Sequence, residues 1–332
     1  MDKISLIEAS LSNSTCIDGQ LDMNVVSAKK ILMEQVKIPI PLRLWGGFWY
    51  EGEVSCLFSN SNAGKSILSV QIGVDVARNT GKKVIYFDFE LSDKQFQMRY
   101  TGDNNELFDF PDNFYRGSLK RGTRSNGDFM VDALALIERK AIDIGADVLI
   151  IDNLTKICQS SEKSESAGPF MDALISLKMQ YGWSILIIGH TTKAYRECYP
   201  LTQNDLGGSK ALVNFVDSLF AIGRSVQDDS LRYVKMLKNR NEEFGMSKVR
   251  VYSIEKIDSF LQFVYQRDSK ERDLLREFSE SEEEKVTKQV LYYRDQGKTI
   301  RDIAAIMKMS KSKVHRIYSE HKSEGLNFTG SD

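Results

Sequence analysis

The fold of this chain is decided by one stretch, Ser59-Asn60-Ser61-Asn62-Ala63-Gly64-Lys65-Ser66. An apolar run at residues 54–58 precedes it, and an apolar helical pattern at residues 67–74 follows it. This order of strand, small-residue loop and helix is typical of a phosphate-binding loop of the G-x-x-x-x-G-K-[ST] type. Ser59 stands where that pattern has its first glycine. The alternative is a loop of small residues that merely ends in Gly-Lys-Ser.

The residue types of this loop suit phosphate chemistry. Backbone N–H groups at a helix N-terminus bind phosphate oxygens. Gly64 lets the backbone approach the ligand, Lys65 would reach the β- and γ-phosphates, and Ser66 would ligate Mg²⁺. We therefore expect ATP and Mg²⁺ at nine consecutive residues: Ser59, Asn60, Ser61, Asn62, Ala63, Gly64, Lys65, Ser66 and Ile67.

Composition narrows the class of protein. The 332 residues are 42% hydrophobic and 27% charged, as in ordinary globular proteins. The formal charge of −1 gives no global attraction to nucleic acid, so any DNA contact must come from local basic patches. Four scattered cysteines, without CxxC pairs, predict free thiols in a reducing cytoplasm. The sequence shows neither a signal pattern nor a membrane-spanning run, so we expect a soluble cytoplasmic protein.

Three apolar runs downstream end in polar residues. Residues 84–89 lead into Glu90, residues 148–151 into Asp152, and residues 184–189 into His190. Continuous apolar runs are typical of parallel strands covered on both faces, and alternation with helices predicts a right-handed parallel α/β sheet. Short strands without intervening helices follow, which predicts an antiparallel extension of this sheet. They lie at residues 218–222, 231–238, 249–254 and 260–265.

The polar residues at these strand ends suit ATP hydrolysis. Parallel strands end at one edge of their sheet, so these side chains would meet the phosphate loop there. Asp152 would hold Mg²⁺ in the Walker B role, unless it merely caps a turn. Glu90 would activate the attacking water, unless it is a plain surface carboxylate. His190 is either a phosphate sensor or a hydrogen-bonded structural residue.

Taken together, the motifs resemble the RecA-like ATPases, and within them the hexameric replicative helicases of the DnaB-like and plasmid RepA type. The resemblance covers roughly residues 37–268 and rests on the order of the motifs. Residues 87–92 are similar to the segment with the catalytic glutamate, residues 188–193 to the γ-phosphate sensor, and residues 236–241 to a Lys-x-Arg element. It implies catalytic roles for Glu90, Lys65 and His190 and a homo-oligomer, expected as a hexamer, with ATP at its subunit interfaces.

Lys238 and Arg240 would complete the site of a neighbouring subunit. They stand two residues apart on a strand and so share one face. Two cations there would neutralise charge on a transferring phosphoryl group, as an arginine finger does. The alternative is a solvated basic strand end, and Arg224 is a second candidate for the finger.

Two loops are the candidates for contact with single-stranded DNA. In ring ATPases of this kind, the loops after the third and fourth strands face the central channel, here residues 156–168 and 193–210. The second loop carries Lys193, Arg196 and Lys210 among small residues, which suits binding of phosphates without sequence recognition.

The tail carries a separate signal for duplex DNA. Thr299 caps a helix at residues 300–307 with Asp302 at the reciprocal position, and Ser310 caps a helix at residues 311–321. This resembles the helix-turn-helix of resolvases and transcription regulators, whose second helix enters the major groove. The alternative is a helical docking domain with a solvated basic face. Candidate contacts are Lys311, Ser312, Lys313, His315 and Arg316.

The sequence thus predicts two domains with flanking segments. They are an N-terminal arm and linker helix at 1–36, a RecA-like ATPase domain at 37–268, a charged linker at 269–284 and a helix-turn-helix domain at 285–325. The predicted function is an ATP-hydrolysing, oligomeric DNA motor, helicase-like, in replication or mobilisation of DNA. The alternative is a DNA-binding regulator that uses ATP as an assembly switch. A small-molecule kinase is disfavoured, because the sequence has no recognisable acceptor site or lid.

Overall fold

The computed structural model describes residues 25–120, 127–158, 167–192, 195–207, 210–240, 248–275 and 280–322. It divides the chain after Leu275 into two compact units. The helices of the first unit are α1 (Ala28–Gln35), α2 (Lys65–Thr80), α3 (Asp93–Arg99), α4 (Phe129–Ile144), α5 (Leu154–Ile157), α6 (Ala167–Tyr181) and α7 (Lys210–Phe215). Its strands are β1 (Arg43–Trp45), β2 (Trp49–Tyr50), β3 (Val54–Ser59), β4 (Val84–Asp88), β5 (Phe114–Ser118), β6 (Val148–Asp152), β7 (Ser184–His190), β8 (Ser218–Arg224), β9 (Leu231–Lys238), β10 (Lys248–Ile257) and β11 (Phe260–Lys270).

The central sheet has the order β11-β10-β9-β8-β3-β7-β6-β4-β5 in the described part of the chain. Pairing is parallel from β8 to β5 and antiparallel from β8 to β11. The strand that leads into the phosphate loop, β3, lies between β7 and β8. This is a RecA-like P-loop core, and it confirms the predicted parallel α/β sheet with an antiparallel extension.

Burial explains why these strands are continuous apolar runs. Alternate side chains of the parallel strands enter two separate hydrophobic clusters, one on each face of the sheet. Val54, Cys56 and Phe58 lie in one cluster, and Leu57 of the same strand lies in the other. Helices cover both faces, which is the usual requirement of a parallel sheet.

Two features of the sheet differ from the prediction. Strand β5 was not predicted, because Phe114–Ser118 is only partly buried and contains a glycine, so it lacks the continuous apolar pattern of a central strand. It lies at the outer edge of the sheet, where such a sequence is tolerated. The last strand, predicted at residues 260–265, continues to Lys270.

The second unit contains three helices: α8 (Glu280–Asp295), α9 (Ile300–Ile306) and α10 (Lys311–Lys322). They share a small core of Val290, Ile303, Ala304, Val314 and Ile317. The predicted cap is present, since the Thr299 hydroxyl accepts a hydrogen bond from the Asp302 amide at 3.2 Å and the Asp302 carboxylate accepts one from the Thr299 amide at 3.1 Å.

Two further expectations concern the environment of the protein. Within the residues that the structure describes, every helix is too short or too polar to cross a membrane. Cys56, Cys158 and Cys198 are free thiols, whereas Cys16 lies outside the described residues.

Candidate functional site

Four strand ends meet at one edge of the sheet. Ser59, Asp88, Asp152 and His190 are the last residues of β3, β4, β6 and β7. The strand register pairs Ser59 with His190 and Asp88 with Asp152. A cavity of about 390 Å³ opens beside them, and its lining includes Lys65, Ser66, Glu90, Arg99, His190 and Ile254. Of these lining residues, the sequence predicted all except Arg99 and Ile254.

The phosphate loop obtains its curvature from two positions. Asn62 has a φ of 59° and Gly64 a φ of 102°, in the left-handed region that asparagine and glycine tolerate. A Cβ on Gly64 would lie 2.8 Å from the Phe263 ring and 2.9 Å from Ile254 Cδ1, so the position also has no room for a side chain. Ser59 is instead a buried residue of strand β3. Its extended backbone therefore does not require the glycine of the common pattern.

Lys65 is held against its own loop. Its ammonium donates to the carbonyl oxygens of Ser59 and Asn60, both at 3.1 Å, and lies 3.3 Å from His190 Nδ1. Only 7% of the residue is exposed. Burial lowers the pKa of Lys65 to about 8, although the nearby carboxylates of Asp152 and Glu90 oppose this shift.

Asp152 is a buried carboxylate beside the start of helix α2. It is 1% exposed and accepts hydrogen bonds from the Tyr86 hydroxyl at 2.7 Å and from the side chain of Ser66. Burial raises the pKa of Asp152 to about 6, against these two hydrogen bonds, and the charges of Glu90 and Asp88 raise it further.

The adjacent oxygens of Ser66 and Asp152 fit the demands of Mg²⁺. This ion keeps several waters and takes one or two protein oxygens together with substrate phosphates. In the described ranges, no group of three or more His, Cys, Asp or Glu residues forms a metal cage. A hydroxyl and a buried carboxylate at the foot of a phosphate loop are therefore a suitable partial shell for Mg²⁺ with bound phosphates.

Asn153 links the other two polar residues of the site. It is buried, and its side-chain amide donates to the Glu90 carboxylate and lies 3.2 Å from His190 Nε2. The side-chain oxygen Oδ1 of Asn153 accepts a hydrogen bond from the Lys156 amide at 3.1 Å, so Asn153 also caps helix α5. The pKa of His190 is lowered by burial and then by Lys65, which favours a neutral imidazole. The sequence prediction missed Asn153, although its place directly after Asp152 was a usable signal.

Two more residues hold the phosphate loop from outside. The Asn60 amide donates to Glu197 Oε1 at 3.1 Å, and Arg224 Nη2 donates to the Asn62 carbonyl at 2.7 Å. Glu197 and Arg224 also lie 3.7 Å apart. Arg224, considered above for the site of a neighbour, thus contacts the loop of its own chain. No local pattern could have found either contact, because 137 and 162 residues separate the partners.

Lys238 and Arg240 lie at the opposite ends of the strands. Lys238 Nζ donates to the carbonyl oxygens of Val213 and Val216, both at 2.7 Å, at the C-terminal end of helix α7. Arg240 pairs with Asp217 at 3.1 Å. Cations commonly bind the last carbonyls of a helix. Burial, followed by the charge of Arg240, lowers the pKa of Lys238. Neither residue reaches the cavity of its own chain.

The candidate DNA contacts fall into three groups. Arg196 is exposed in the loop after β7, whereas Lys193 lies outside the described residues. Lys210 begins helix α7, and its side chain is outside the described part. On helix α10 the buried side chains are those of Val314 and Ile317, and the exposed ones include Lys311, Ser312, Lys313, His315 and Arg316.

The phosphate loop, the strand-end acids and the RecA-like sheet together define an AAA-type P-loop ATPase domain. A family model described as an AAA domain matches residues 26–196, more than half of the chain. The chain therefore belongs to that family. Among solved structures, it is similar to a KaiC-like protein from the hyperthermophilic archaeon Pyrococcus horikoshii OT3. The two are 14% identical, with a TM-score of 0.47, over 65% of this chain and 91% of the other.

Proposed function

We propose that this protein is an oligomeric, ATP-hydrolysing DNA motor of the helicase or translocase type, which acts in replication or mobilisation of DNA. The observation that carries the ATPase part of this proposal is that Lys65, Ser66 and Glu90 line one cavity, with the buried Asp152 directly behind Ser66 and hydrogen-bonded to its side chain. Nucleotide binding alone needs only the loop, whereas a carboxylate placed like Glu90 is the group that hydrolysis additionally requires.

Each group has a defined task in this proposal. Lys65 leaves the loop carbonyls and binds the β- and γ-phosphates. Ser66 and Asp152 would hold Mg²⁺, which would neutralise phosphate charge. Glu90 accepts the proton of the attacking water, while Asn153 fixes the direction of its carboxylate. His190, neutral and beside Lys65, senses the γ-phosphate through a hydrogen bond.

The proposed oligomer rests on the positions of Lys238 and Arg240. These cations lie at the ends of the strands opposite their own phosphate loop, so they serve the nucleotide of a neighbouring copy, with a hexamer as the expected assembly. The two ends of β3, at Val54 and Ser59, are about 16 Å apart at about 3.3 Å per residue. Neither the Lys238 side chain nor that of Arg240 spans this distance, which supports a role in the site of a neighbouring copy.

DNA binding is proposed at two places. Lys193 and Arg196, which follow β7, and Lys210, which begins helix α7, bind the phosphates of single-stranded DNA in the channel of the ring. Lys311, Ser312, Lys313, His315 and Arg316 on helix α10 contact duplex DNA as the second helix of a helix-turn-helix. The support for the second place is that all five are exposed while the other face of the helix is buried.

A second candidate function is a regulator that uses ATP as an assembly switch. The observation that favours it is the separate three-helix unit, whose exposed basic helix suits duplex rather than single-stranded DNA. One experiment separates the two functions: ATP hydrolysis by the full chain with no DNA, with single-stranded DNA and with duplex DNA, alongside light-scattering mass and strand displacement. Stimulation by single strands with unwinding supports the motor. Tight duplex binding with neither effect supports the regulator and overturns the motor.

The role of helix α10 has its own test. Replacing Lys313 and Arg316 together by alanine should weaken duplex binding and reduce the slope of log affinity against log salt by about 2, because each cation contributes about 1. ATP hydrolysis without DNA should be unchanged. Lys298→Ala, an exposed cation of the same unit outside helix α10, is the control and should have little effect. An unchanged salt slope in the double variant would refute this assignment.

A further inference from the structure

The turn that carries Glu90 is fixed by a carboxylate two residues before it. Asp88 Oδ1 accepts hydrogen bonds from the backbone amide of Glu90 at 3.0 Å and from that of Leu91 at 2.8 Å. The side chain of Asp88 is fully buried, whereas Glu90 itself is exposed. The direction in which Glu90 leaves the strand is therefore set by Asp88.

An arginine from the edge strand holds the same turn from the other side. Arg116, on β5, donates from Nε to Asp88 Oδ2 at 3.0 Å, from Nη2 to the Leu91 carbonyl at 2.7 Å and from Nη1 to Asp93 Oδ1 at 2.6 Å. Its guanidinium lies 4.7 Å from the centre of the Phe96 ring. With 13% of its side chain exposed, Arg116 has all three nitrogens committed to this one turn.

We propose that Arg116, acting through Asp88, is a positioning residue for Glu90 in ATP hydrolysis. This inference rests on the proposed role of Glu90. The carboxylate must stand within hydrogen-bond reach of the attacking water, and a displacement of about 1 Å can lower a rate about 100-fold. The planar fork of arginine fixes three acceptors at once, which the single ammonium of lysine does not.

The strand pairing places Arg116 where this role needs it. Tyr86 of β4 pairs with Arg116 of β5, and Asp88 pairs with Ser118. Arg116 thus stands beside the last residues of β4 and reaches forward along the strand to the turn. The phosphate loop follows β3 in the interior of the sheet, with three strands between β3 and β5, so we expect loss of Arg116 to disturb the Glu90 turn more than the loop.

The first test separates turnover from binding. In the full chain, Arg116→Ala should lower kcat for ATP by about 10- to 100-fold while KM for ATP stays within about twofold. Arg116→Lys should recover only part of this loss. Arg78→Ala is a matched control, because Arg78 also stacks on an aromatic ring and donates to a backbone carbonyl, but far from the Glu90 turn. It should leave kcat unchanged.

A double-mutant cycle then shows whether Arg116 acts through Glu90. In a Glu90→Gln background, Arg116→Ala should cause no further loss of rate, because the positioned carboxylate is already gone. An equal loss in both backgrounds would overturn the proposal, as would an unchanged kcat in Arg116→Ala. If Arg116→Ala fails to fold, Arg116→Lys decides by the same criteria. If Glu90→Gln keeps full activity, the proposed role of Glu90 itself fails, which is a distinct outcome.

Discussion

The two ends of the parallel strands differ sharply in charge and in bonding. At the carboxyl ends, Glu90 faces a cavity, Asp152 is buried beside it, and Lys65 binds its own loop and His190. At the amino ends, Lys238 and Arg240 are bound to helix carbonyls and to a carboxylate. One end has acids around an open cavity, and the other has cations that are already paired.

The difference follows from the direction of the strands. The polarity of parallel strands brings the loop and the acids together at the carboxyl ends. Strand β9 is antiparallel to β8, so its C-terminal end carries Lys238 back to the amino ends. The cations are thereby kept away from the phosphate loop of their own chain, as the proposed role in a neighbouring copy requires.

Loss of Lys65, at the carboxyl ends of the strands, should have the largest effect on ATP turnover. Lys65→Ala should reduce ATP turnover by about 1000-fold or more, because the β- and γ-phosphates lose their charged hydrogen-bond donor. Steady-state hydrolysis and equilibrium binding of a fluorescent nucleotide measure it. Lys178→Ala, at the amino ends, is the control: Lys178 pairs with Asp217 at 3.1 Å, so its loss should affect thermal stability more than nucleotide binding. Turnover that survives Lys65→Ala would refute the whole site.

The next largest effect on ATP turnover should come from Lys238 and Arg240, at the amino ends of the strands. Replacing Lys238 and Arg240 together by alanine should lower turnover by about 1000-fold if they act as fingers. Mixing this variant with Lys65→Ala should restore part of the activity, because some interfaces then combine an intact loop with intact cations. Hydrolysis after subunit exchange, with exchange verified by fluorescence, is the measurement. Two inactive variants that exchange subunits without any recovery would exclude a role in trans.

A smaller effect is expected when the pH is raised, and it concerns the affinity for ATP. Lys65 must be protonated to bind phosphate, and its pKa before binding is lowered by burial to about 8. Above pH 8, ATP binding takes up a proton, so affinity should fall by up to about tenfold per pH unit. Calorimetry in two buffers of different ionisation enthalpy measures how many protons are taken up when ATP binds. The decline should be absent in Lys65→Arg, because arginine keeps its charge. A decline that persists in this variant would show that another group causes it.

The smallest effect should follow Ser59→Gly. This change restores the common motif, but Ser59 has an extended strand backbone and does not need glycine. It removes two contacts of the Ser59 hydroxyl, the hydrogen bond that it donates to the Asn60 carbonyl at 2.8 Å and the one that it accepts from Lys65 Nζ at 3.3 Å. Lys65 keeps its bonds to the loop carbonyls, so turnover should change by less than about threefold. Gly64→Ala is the contrasting variant and should be severely impaired, since its φ is 102° and its Cβ would overlap Phe263. A tenfold change in Ser59→Gly would show that this serine has a specific role.

Much of the sheet was predictable because its interior strands are continuous apolar runs. The runs ending at Asp152 and His190 were recognised for that reason, and so was their convergence on the phosphate loop. Edge strand β5 was missed, since a half-exposed strand with a glycine lacks this pattern. Arg116, the residue that holds the Glu90 turn, lies on this strand and was missed with it.

The sequence by itself determined the interior strands, the phosphate loop and the positions of Glu90 and Asp152, because burial and phosphate chemistry leave local patterns in the chain. Only the tertiary structure decided which polar residues meet. Arg224 contacts the loop of its own chain, while Lys238 and Arg240 are carried to the far ends of the strands. Asn60 and Glu197 are likewise joined across 137 residues. Such contacts depend on strand order and direction, which a local pattern does not specify.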